Sequence, residues 1–202
     1  MSFAGKFLEQ TARIAGEIDV EAVERMARTV AEVRERGGRI FFVGVGGGAG
    51  HSSHAVCDFR KLAGIESYAV SDNVSELTAR VNDDGWDTCY SEWLAGSRLS
   101  PRDAVFVFSV GGGSETSSVS VNLVRALAHA RSVGATILGV VGRDGGYTAK
   151  VGDAVVVVPT VDSRLVTPHT EAYQAVIWHL LVSHPLVARR ETKWESITQG
   201  KS

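Results

Sequence analysis

Four side chains that can exchange protons or bind a metal ion form two pairs far apart in the sequence. His54 and Asp58 are four residues apart, and Glu171 and His179 are eight residues apart. Four residues span just over one turn of an α-helix and eight just over two, so in helices each pair lies on one face. Two such faces brought together supply two imidazoles and two carboxylates. This set is enough to hold a divalent metal ion or to move protons on a bound substrate.

Three of these residues also have a structural interpretation when each is taken alone. His54 would be a polar residue whose hydrogen bonds are satisfied, and His179 would belong to the core. Asp58 would pair with Arg60 or Lys61, an interaction that contributes about 0–1 kcal/mol at a surface. The functional interpretation therefore depends on the residues being brought together.

Glu171 has a structural interpretation that follows from helix ends. Thr167 has the form of an N-cap, and Pro168 fits the first helical position. Glu171 would then lie in the first turn, where the helix dipole favours a carboxylate without any function.

Three glycine-rich turns, at residues 44–50, 109–118 and 142–147, each follow a buried apolar run. Glycine lets the backbone approach an anion closely, and the amides at the start of a following helix direct N–H groups toward it. The chain lacks the Gly-Lys-Ser/Thr ending of a nucleotide-binding P-loop, and the spacing does not fit the dinucleotide fingerprint. The turns therefore favour a phosphate group on a small molecule.

The second turn is rich in hydroxyl groups, which are suited to hydrogen bonding a phosphate. We expect a phosphate to be bound by its side chains and amides, at Ser109, Gly111, Ser114, Thr116 and Ser117. In the first turn the backbone can approach a ligand at Gly46, Gly47 and Gly48.

The apolar pattern predicts an α/β fold. Continuous apolar runs occupy residues 39–43, 104–108, 136–141 and 154–158, with a weaker run at 66–70. Apolar residues without alternation are typical of strands buried on both faces of a parallel sheet. Helical stripes at residues 119–133 and 168–182 lie between or after these runs. We therefore expect a three-layer sandwich around a five-stranded parallel sheet.

The N-terminal residues 1–38 are predicted to form two helices, residues 3–18 and 19–36. Their apolar stripe needs a partner, which is either the sheet or another copy of the chain. Residues 39–185 form the α/β domain in this interpretation, and residues 186–202 form a mostly polar tail.

Composition excludes several classes of function. The 202 residues carry a formal net charge of -2, which gives no support to nucleic-acid binding. No run approaches the roughly 20 apolar residues of a membrane span, and the first residues lack the pattern of a signal peptide. The two cysteines, Cys57 and Cys89, are interpreted as buried thiols in a reducing compartment. We expect a cytoplasmic protein.

Taken together, these features resemble the sugar isomerase (SIS) domain family, and within it the sedoheptulose 7-phosphate isomerases. The resemblance covers the chain to about Pro185. Its markers are the first glycine turn with His54 and Asp58, the segment 75–84 with Asn82 and Asp83, the serine-bearing turn from Ser109, and the helix with Glu171 and His179. It implies a five-stranded parallel sheet, a homotetramer with active sites at subunit interfaces, and a zinc ion.

The resemblance also implies roles for individual residues. The family's zinc-binding histidine falls on His54, its glutamate base on Asp58, its glutamine on Glu171 and its histidine acid on His179. All four are candidate metal ligands, and their nitrogen and oxygen donors suit zinc. Asn82 and Asp83 are expected to hold sugar hydroxyls or to shape the pocket wall.

Two of these positions depart from the family. Asp58 is one methylene shorter than the glutamate, and Glu171 adds a negative charge, so either of them could be the base.

The activity implied is aldose–ketose isomerisation of a seven-carbon sugar phosphate, in a route to activated heptoses. Such a reaction moves a proton between C1 and C2 through an enediol(ate) and needs a base and a group that stabilises the oxyanion. The alternatives are an isomerase of another sugar phosphate and a non-catalytic module that binds a sugar phosphate or a protein. Retention of both acid–base pairs favours the enzyme.

Overall fold

Strands and helices alternate through most of the chain, of which a computed structural model describes residues 1–199. The strands are β1 (Ile40–Gly44), β2 (Ser67–Ala69), β3 (Ala104–Ser109), β4 (Thr136–Val141) and β5 (Ala154–Val157). The helices are α1 (Phe3–Glu17), α2 (Val20–Glu35), α3 (Gly47–Lys61), α4 (Val74–Asp84), α5 (Cys89–Gly96), α6 (Val121–Ser132), α7 (Gly146–Val151), α8 (Val166–Ser183) and α9 (Lys193–Gln199).

The five strands form one sheet in the order β2-β1-β3-β4-β5, and all neighbouring pairs are parallel. This confirms the predicted five-stranded parallel sheet. The weakest predicted strand, β2, is the shortest and lies at one edge, where it pairs with β1 alone. The turns that follow β1, β3 and β4 share the edge of the sheet where parallel strands end, which is where ligands bind in such folds.

Helices cover both faces of the sheet, which explains the continuous apolar runs. In β1, Ile40 and Phe42 belong to the core beneath α2, α3 and α8, whereas Phe41 and Val43 belong to the core beneath α5, α6 and α7. Successive side chains of a strand point to opposite faces. A strand buried on both faces therefore needs an apolar residue at every position.

The apolar stripe of α2 has its partner within the chain. Met26 and Val30 are fully buried in the same core as Phe42, so α2 is part of the layer that covers the sheet. The helix α1 is different, because Ile14 is its one buried residue while Phe3 and Leu8 are largely exposed. The division of the chain near residues 38 and 185 stays a prediction.

The start of α8 differs from the prediction. The helix begins at Val166, with Leu165 as an N-cap that makes no side-chain hydrogen bond, so the assignment of Thr167 as N-cap is wrong. Pro168 is the third helical residue, where its missing N–H costs nothing because the first four N–H groups have no acceptor within the helix. Glu171 consequently lies in the second turn of α8 and not in the first.

The helices α4, α5, α7 and α9 were not expected from the apolar pattern. α4 has no buried residue, which leaves a weak stripe in the sequence. The interpretation of both cysteines as buried is wrong for Cys57, which is exposed, and right for Cys89. Cys57 lies on α3, where Ala55 and Phe59 are buried. None of the described helices combines the length and the apolar character that crossing a membrane requires.

The first glycine turn brings β1, β3 and α3 into backbone contact. A Cβ on Gly48 would overlap the carbonyl oxygen of Phe108 in β3, and a Cβ on Gly44 would overlap the backbone of Gly48. Gly46 has a positive φ of 59°, which favours glycine for conformational reasons. These contacts fix where α3 starts, and therefore where its side chains point.

We predict that two glycines of α3 respond oppositely to alanine. Gly48→Ala should lower the free energy of unfolding by about 1–3 kcal/mol, because the added methyl group meets backbone that cannot move aside. Gly50→Ala meets nothing within 4 Å and should raise it by up to about 1 kcal/mol through helix propensity. Urea unfolding of both variants measures the difference. A Gly48→Ala protein as stable as the parent would contradict the close contact.

Candidate metal and substrate site

Three of the four residues selected from the sequence come together between α3 and α8. His54, Asp58 and His179 each offer a ligand atom, and these atoms all lie within 4.8 Å of one another. Asp58 Oδ2 lies 3.5 Å from His54 Nε2 and 3.6 Å from His179 Nε2. We call these three residues the metal group. Donor atoms bound at about 2 Å to a tetrahedral ion are about 3.4 Å apart, so the spacing fits such an ion.

The hydrogen bond on the far side of His179 supports this interpretation. His179 Nδ1 lies 2.8 Å from the carbonyl oxygen of Ala175, which can only accept, so Nδ1 carries the proton. In the neutral ring Nε2 then presents a lone pair toward the carboxylate of Asp58. That lone pair and the carboxylate oxygen can then bind the same cation. Metal-binding histidines commonly donate their other ring N–H in this way.

Trp178 holds the metal group in place. Its indole N–H donates a 3.0 Å hydrogen bond to Asp58 Oδ2, and its buried ring lies 5.2 Å from the ring of His54 and 4.8 Å from that of His179. A tryptophan is by default a packing residue, and the sequence analysis gave Trp178 no other role. Its position beside His179 was the one signal for a further role, because an indole is a donor that needs an acceptor when buried.

Glu171 is not part of the metal group. Its carboxylate lies against the first glycine turn, where a Cβ added to Gly47 would be 2.5 Å from Glu171 Oε1. Glu171 and His179 are separated by eight residues of one helix, which corresponds to about 12 Å along the helix axis. A carboxylate beside the first turn of α3 is favoured by the positive end of that helix.

His51 joins a buried network beside the metal group. His51 Nδ1 lies 2.8 Å from Gln174 Oε1, and Gln174 Nε2 donates to the carbonyl oxygen of Val140. Because Gln174 is fully buried and its amide nitrogen is engaged, His51 Nδ1 must be the donor. Although His51 is only three residues from His54, the structure places it outside the metal group. Gln174 was missed, although a glutamine on the apolar face of α8 was a signal.

The second glycine turn borders a cavity of about 380 Å³, a size typical of small-molecule sites. Of the predicted phosphate-binding residues, Gly111, Ser114, Thr116 and Ser117 line it. Ser109 is not in the lining, since its hydroxyl accepts a hydrogen bond from the Gly112 amide inside the turn. The remaining lining residues are Gly113, Glu115, Val119, Ser120, Arg143, Asp144, Gly146, Tyr147 and Lys150.

The other predicted substrate-binding residues lie apart from this cavity. Asn82 and Asp83 are exposed at the last turn of α4, and the Asn82 amide donates 2.7 Å to Asp83 Oδ1. Gly46 and Gly47 are exposed at the start of α3, whereas Gly48 is buried against β3. The structure of one chain does not bring Asn82 or Asp83 to the metal group.

The carbonyl end of β1 is held by a tyrosine. Tyr90 of α5 donates a 2.7 Å hydrogen bond to the carbonyl oxygen of Gly44. Burial raises the pKa of Tyr90 to about 12, so the phenol stays protonated and remains a donor throughout the neutral pH range.

The structural interpretation of Asp58 as a partner of Arg60 is not supported. Arg60 Nη1 instead donates to the carbonyl oxygen of Ser67, and its guanidinium lies over the ring of Tyr68. His179 is not a core residue either, since its side chain is 53% exposed. The metal group is open to solvent, because His54 and His179 are exposed beside the largely buried carboxylate of Asp58.

Comparison with known proteins assigns this arrangement to a family. No family model matches the chain. Over an alignment of 205 positions it is 31% identical to a phosphoheptose isomerase of Mycobacterium bovis, and the alignment covers 90% of this chain and 99% of that protein. It is 30% identical over 182 residues to a probable phosphoheptose isomerase of Thermoplasma volcanium, covering 88% and 87%.

A solved structure shows the same fold. The phosphoheptose isomerase of Neisseria gonorrhoeae superposes with a TM-score of 0.77 over 89% of this chain and 96% of that one, at 21% sequence identity. The sheet and helices thus have the SIS fold, and the sequence similarity to phosphoheptose isomerases places the chain in the sugar-phosphate isomerase class. By its sequence similarity the chain belongs to the phosphoheptose isomerase family.

We predict that the metal group binds one divalent ion per chain. His54→Ala and His179→Ala should each weaken zinc binding by at least about tenfold, because removal of one of three ligands leaves an incomplete site. Isothermal titration of the metal-free protein with zinc measures the affinity. His184→Ala is the matched control, since His184 pairs with Glu24 outside the metal group. Equal zinc affinity in all four proteins would show that the metal group holds no ion.

Proposed function

We propose that the protein interconverts sedoheptulose 7-phosphate and an aldoheptose 7-phosphate, as a step in the synthesis of an activated heptose. The names of its relatives support the substrate class. The observation that carries the proposal is the convergence of two imidazole nitrogens and one carboxylate oxygen on a common point. The hydroxyl-lined cavity at the second glycine turn suits the phosphate.

The ion proposed for the metal group is zinc, held by His54, Asp58 and His179. Three protein ligands leave a fourth position open, as in catalytic zinc sites. When bound, zinc supplies a Lewis acid that polarises the carbonyl and hydroxyl oxygens of the substrate. Trp178 keeps the carboxylate of Asp58 in the orientation that faces both histidines.

Glu171 is the proposed base. Asp58 Oδ2 is already engaged by Trp178 and faces both histidines, whereas the carboxylate of Glu171 has no hydrogen bond or ion pair among residues 1–199. A carboxylate free of other partners can take the proton from C1 of the ketose and return it at C2. The departure from the family's glutamine at this position adds a basic group.

The proposed site is assembled from two copies of the chain, within a homotetramer. In one chain the metal group and the phosphate cavity share no residue. Glu171 lies with the glycine turns, and His179 lies about two helical turns away. Val176 and Leu180, on either side of His179, are exposed apolar residues, and Phe3 and Leu8 of α1 are exposed as well. A second copy packed on this surface would cover these apolar side chains and complete the site.

We predict that the purified protein with zinc converts sedoheptulose 7-phosphate into an aldose, which is detected by the NMR signal of its anomeric proton, a proton that the ketose lacks. Asp58→Asn should remove activity together with the zinc. Glu171→Gln should lower kcat by about 10²-fold or more, the lower range for a general base, while zinc stays bound. Binding of the sugar phosphate without turnover in the zinc-loaded parent would instead identify a non-catalytic module.

The Glu171 and Asp58 variants separate the two roles. If Asp58→Asn keeps its zinc and loses activity while Glu171→Gln remains active, Asp58 is the base and the assignment of Glu171 is wrong. Metal content is measured on the same preparations by elemental analysis. This readout distinguishes a lost ligand from a lost base.

We predict that inactive variants complement each other in mixed oligomers. Glu171→Gln and His179→Ala proteins should each be inactive alone, and subunit exchange between them should restore up to about a quarter of the parental activity. Restoration requires that the two residues of one site come from different chains. Light scattering at micromolar concentration should give the mass of a tetramer.

The control for this experiment mixes two variants of the same half-site. His54→Ala with His179→Ala should restore nothing, because both side chains belong to one metal group. A monomeric mass, or mixtures of Glu171→Gln and His179→Ala that remain inactive after exchange, would contradict the shared site.

A further inference from the structure

The third glycine turn, residues 142–147, is bonded to the second turn through the backbone. The amide of Gly142 donates to the carbonyl oxygen of Val110, that of Tyr147 to Gly113, and that of Thr148 to Gly112. The Thr148 hydroxyl donates to Gly112 as well, at 2.8 Å. A Cβ on Gly146 would overlap the carbonyl oxygen of Gly111. The carbonyl oxygens of the second turn are therefore directed at the third.

This bonding determines where the amide hydrogens of the second turn point. In a planar trans peptide the C=O and the following N–H point in opposite directions. Since the carbonyls of Val110 and Gly112 face the third turn, the N–H groups of Gly111 and Gly113 face away from it. Both glycines line the cavity, and within residues 1–199 neither N–H has an acceptor. An anion in the cavity would therefore meet the free N–H groups of Gly111 and Gly113 and not the carbonyl oxygens, which would repel it.

Arg143 is the residue of the third turn that is placed to reach such an anion. Its Cδ lies 3.9 Å from the position of a Cβ on Gly111, so the side chain extends across the second turn and lines the cavity. The other cation in the lining, Lys150, is paired with Glu115 at 2.8 Å. Arg143 makes no ion pair or hydrogen bond in the described part of the chain.

The backbone of Arg143 is also unusual. Its φ is +53°, in the left-handed region that arginine adopts at a cost and that glycine or asparagine tolerates better. Such strain in a turn beside a cavity is typical of positions where the side chain has a task. Asp144, the next residue, instead accepts a hydrogen bond from the amide of Gly146 and caps the turn.

We propose that Arg143 binds the phosphate group of the substrate, opposite Ser114 in the cavity. The planar guanidinium offers two parallel N–H donors to phosphate oxygens. It supplies the positive charge that the hydroxyl and amide donors of the second turn lack. This inference rests on the proposed function in assuming a phosphorylated substrate, but phosphate binding itself can be measured without turnover.

The test uses inorganic phosphate as the probe and three variants of the full chain. Arg143→Asn removes the charge and fits the left-handed backbone, and Arg143→Lys keeps the charge without the paired donors. Arg143 also lines a second, neighbouring cavity, at whose edge Arg164 lies. Arg164→Asn is therefore the control, since it makes the same charge change there, and Arg164 is held by Asp162 through two side-chain hydrogen bonds. Phosphate affinity is measured by titration calorimetry and by protection against thermal unfolding.

Arg143→Asn should weaken phosphate binding by about tenfold or more, which corresponds to about 1.4 kcal/mol. Arg143→Lys should fall between this variant and the parent, and Arg164→Asn should stay within about twofold of the parent, the small effect of a surface charge. For the sugar phosphate, KM should rise in Arg143→Asn while kcat changes little, because the phosphate lies away from the reacting carbons.

A double-mutant cycle locates the anion. If Arg143 and Ser114 bind the same phosphate, the loss in Arg143→Asn/Ser114→Ala should be smaller than the product of the two separate losses. Independent losses would place the anion in the neighbouring cavity and overturn the proposal. Unchanged affinity in Arg143→Asn, or a parent protein that binds no phosphate, would overturn it too. A parent that binds phosphate but does not isomerise the heptose would contradict the proposed function and leave the assignment of Arg143 intact.

Discussion

The contact of Trp178 with Asp58 is the interaction on which the arrangement of the metal group depends. It joins α3 to α8 at the point where both helices present their histidines, and it lies over the face of the sheet that Phe42 and Phe108 build. An exposed pair of side chains would not fix a carboxylate, because long polar chains lose little by rotating into water. A buried indole has one rigid donor and few rotamers, so the carboxylate it holds is positioned by the packing of the core.

At the edge of the sheet where the strands end, polar groups are positioned by main-chain contacts alone. The second and third glycine turns contact each other, and the first contacts β3, so closely that a methyl group fits at few of their positions. The carbonyl oxygens of the second turn accept hydrogen bonds from the third turn, so the free N–H groups of the second turn point in one direction. Side chains can then differ at the rim without altering the direction of these N–H groups, which is set by peptide planarity and by contacts between main chains.

Much of this could be predicted from the sequence, for physical reasons that differ from residue to residue. The sheet was predictable because a strand buried on both faces leaves no polar position, as in β3. His54, Asp58 and His179 were predictable because helix periodicity is local, and the family resemblance paired the two helices. Local pattern says nothing about which residue fills the space between two helices, so the bond from Trp178 and the network of Gln174 were missed. Glu171 was expected in the first turn of α8 and lies in the second. A proline is tolerated at any of the first three helical positions, and the sequence analysis assumed the first of them.

The bond between Trp178 and Asp58 spans 120 residues of sequence, so the metal group is a product of the finished fold. Its two halves lie on helices far apart in the chain, so they meet only where α8 packs against α3. An ion held there would act as a cross-link that closes a long loop in the chain. Because such an ion would bind the folded chain far better than the unfolded one, mass action would couple metal supply to the lifetime of the native state. Metal availability would then regulate how much folded protein persists, independently of any effect on turnover.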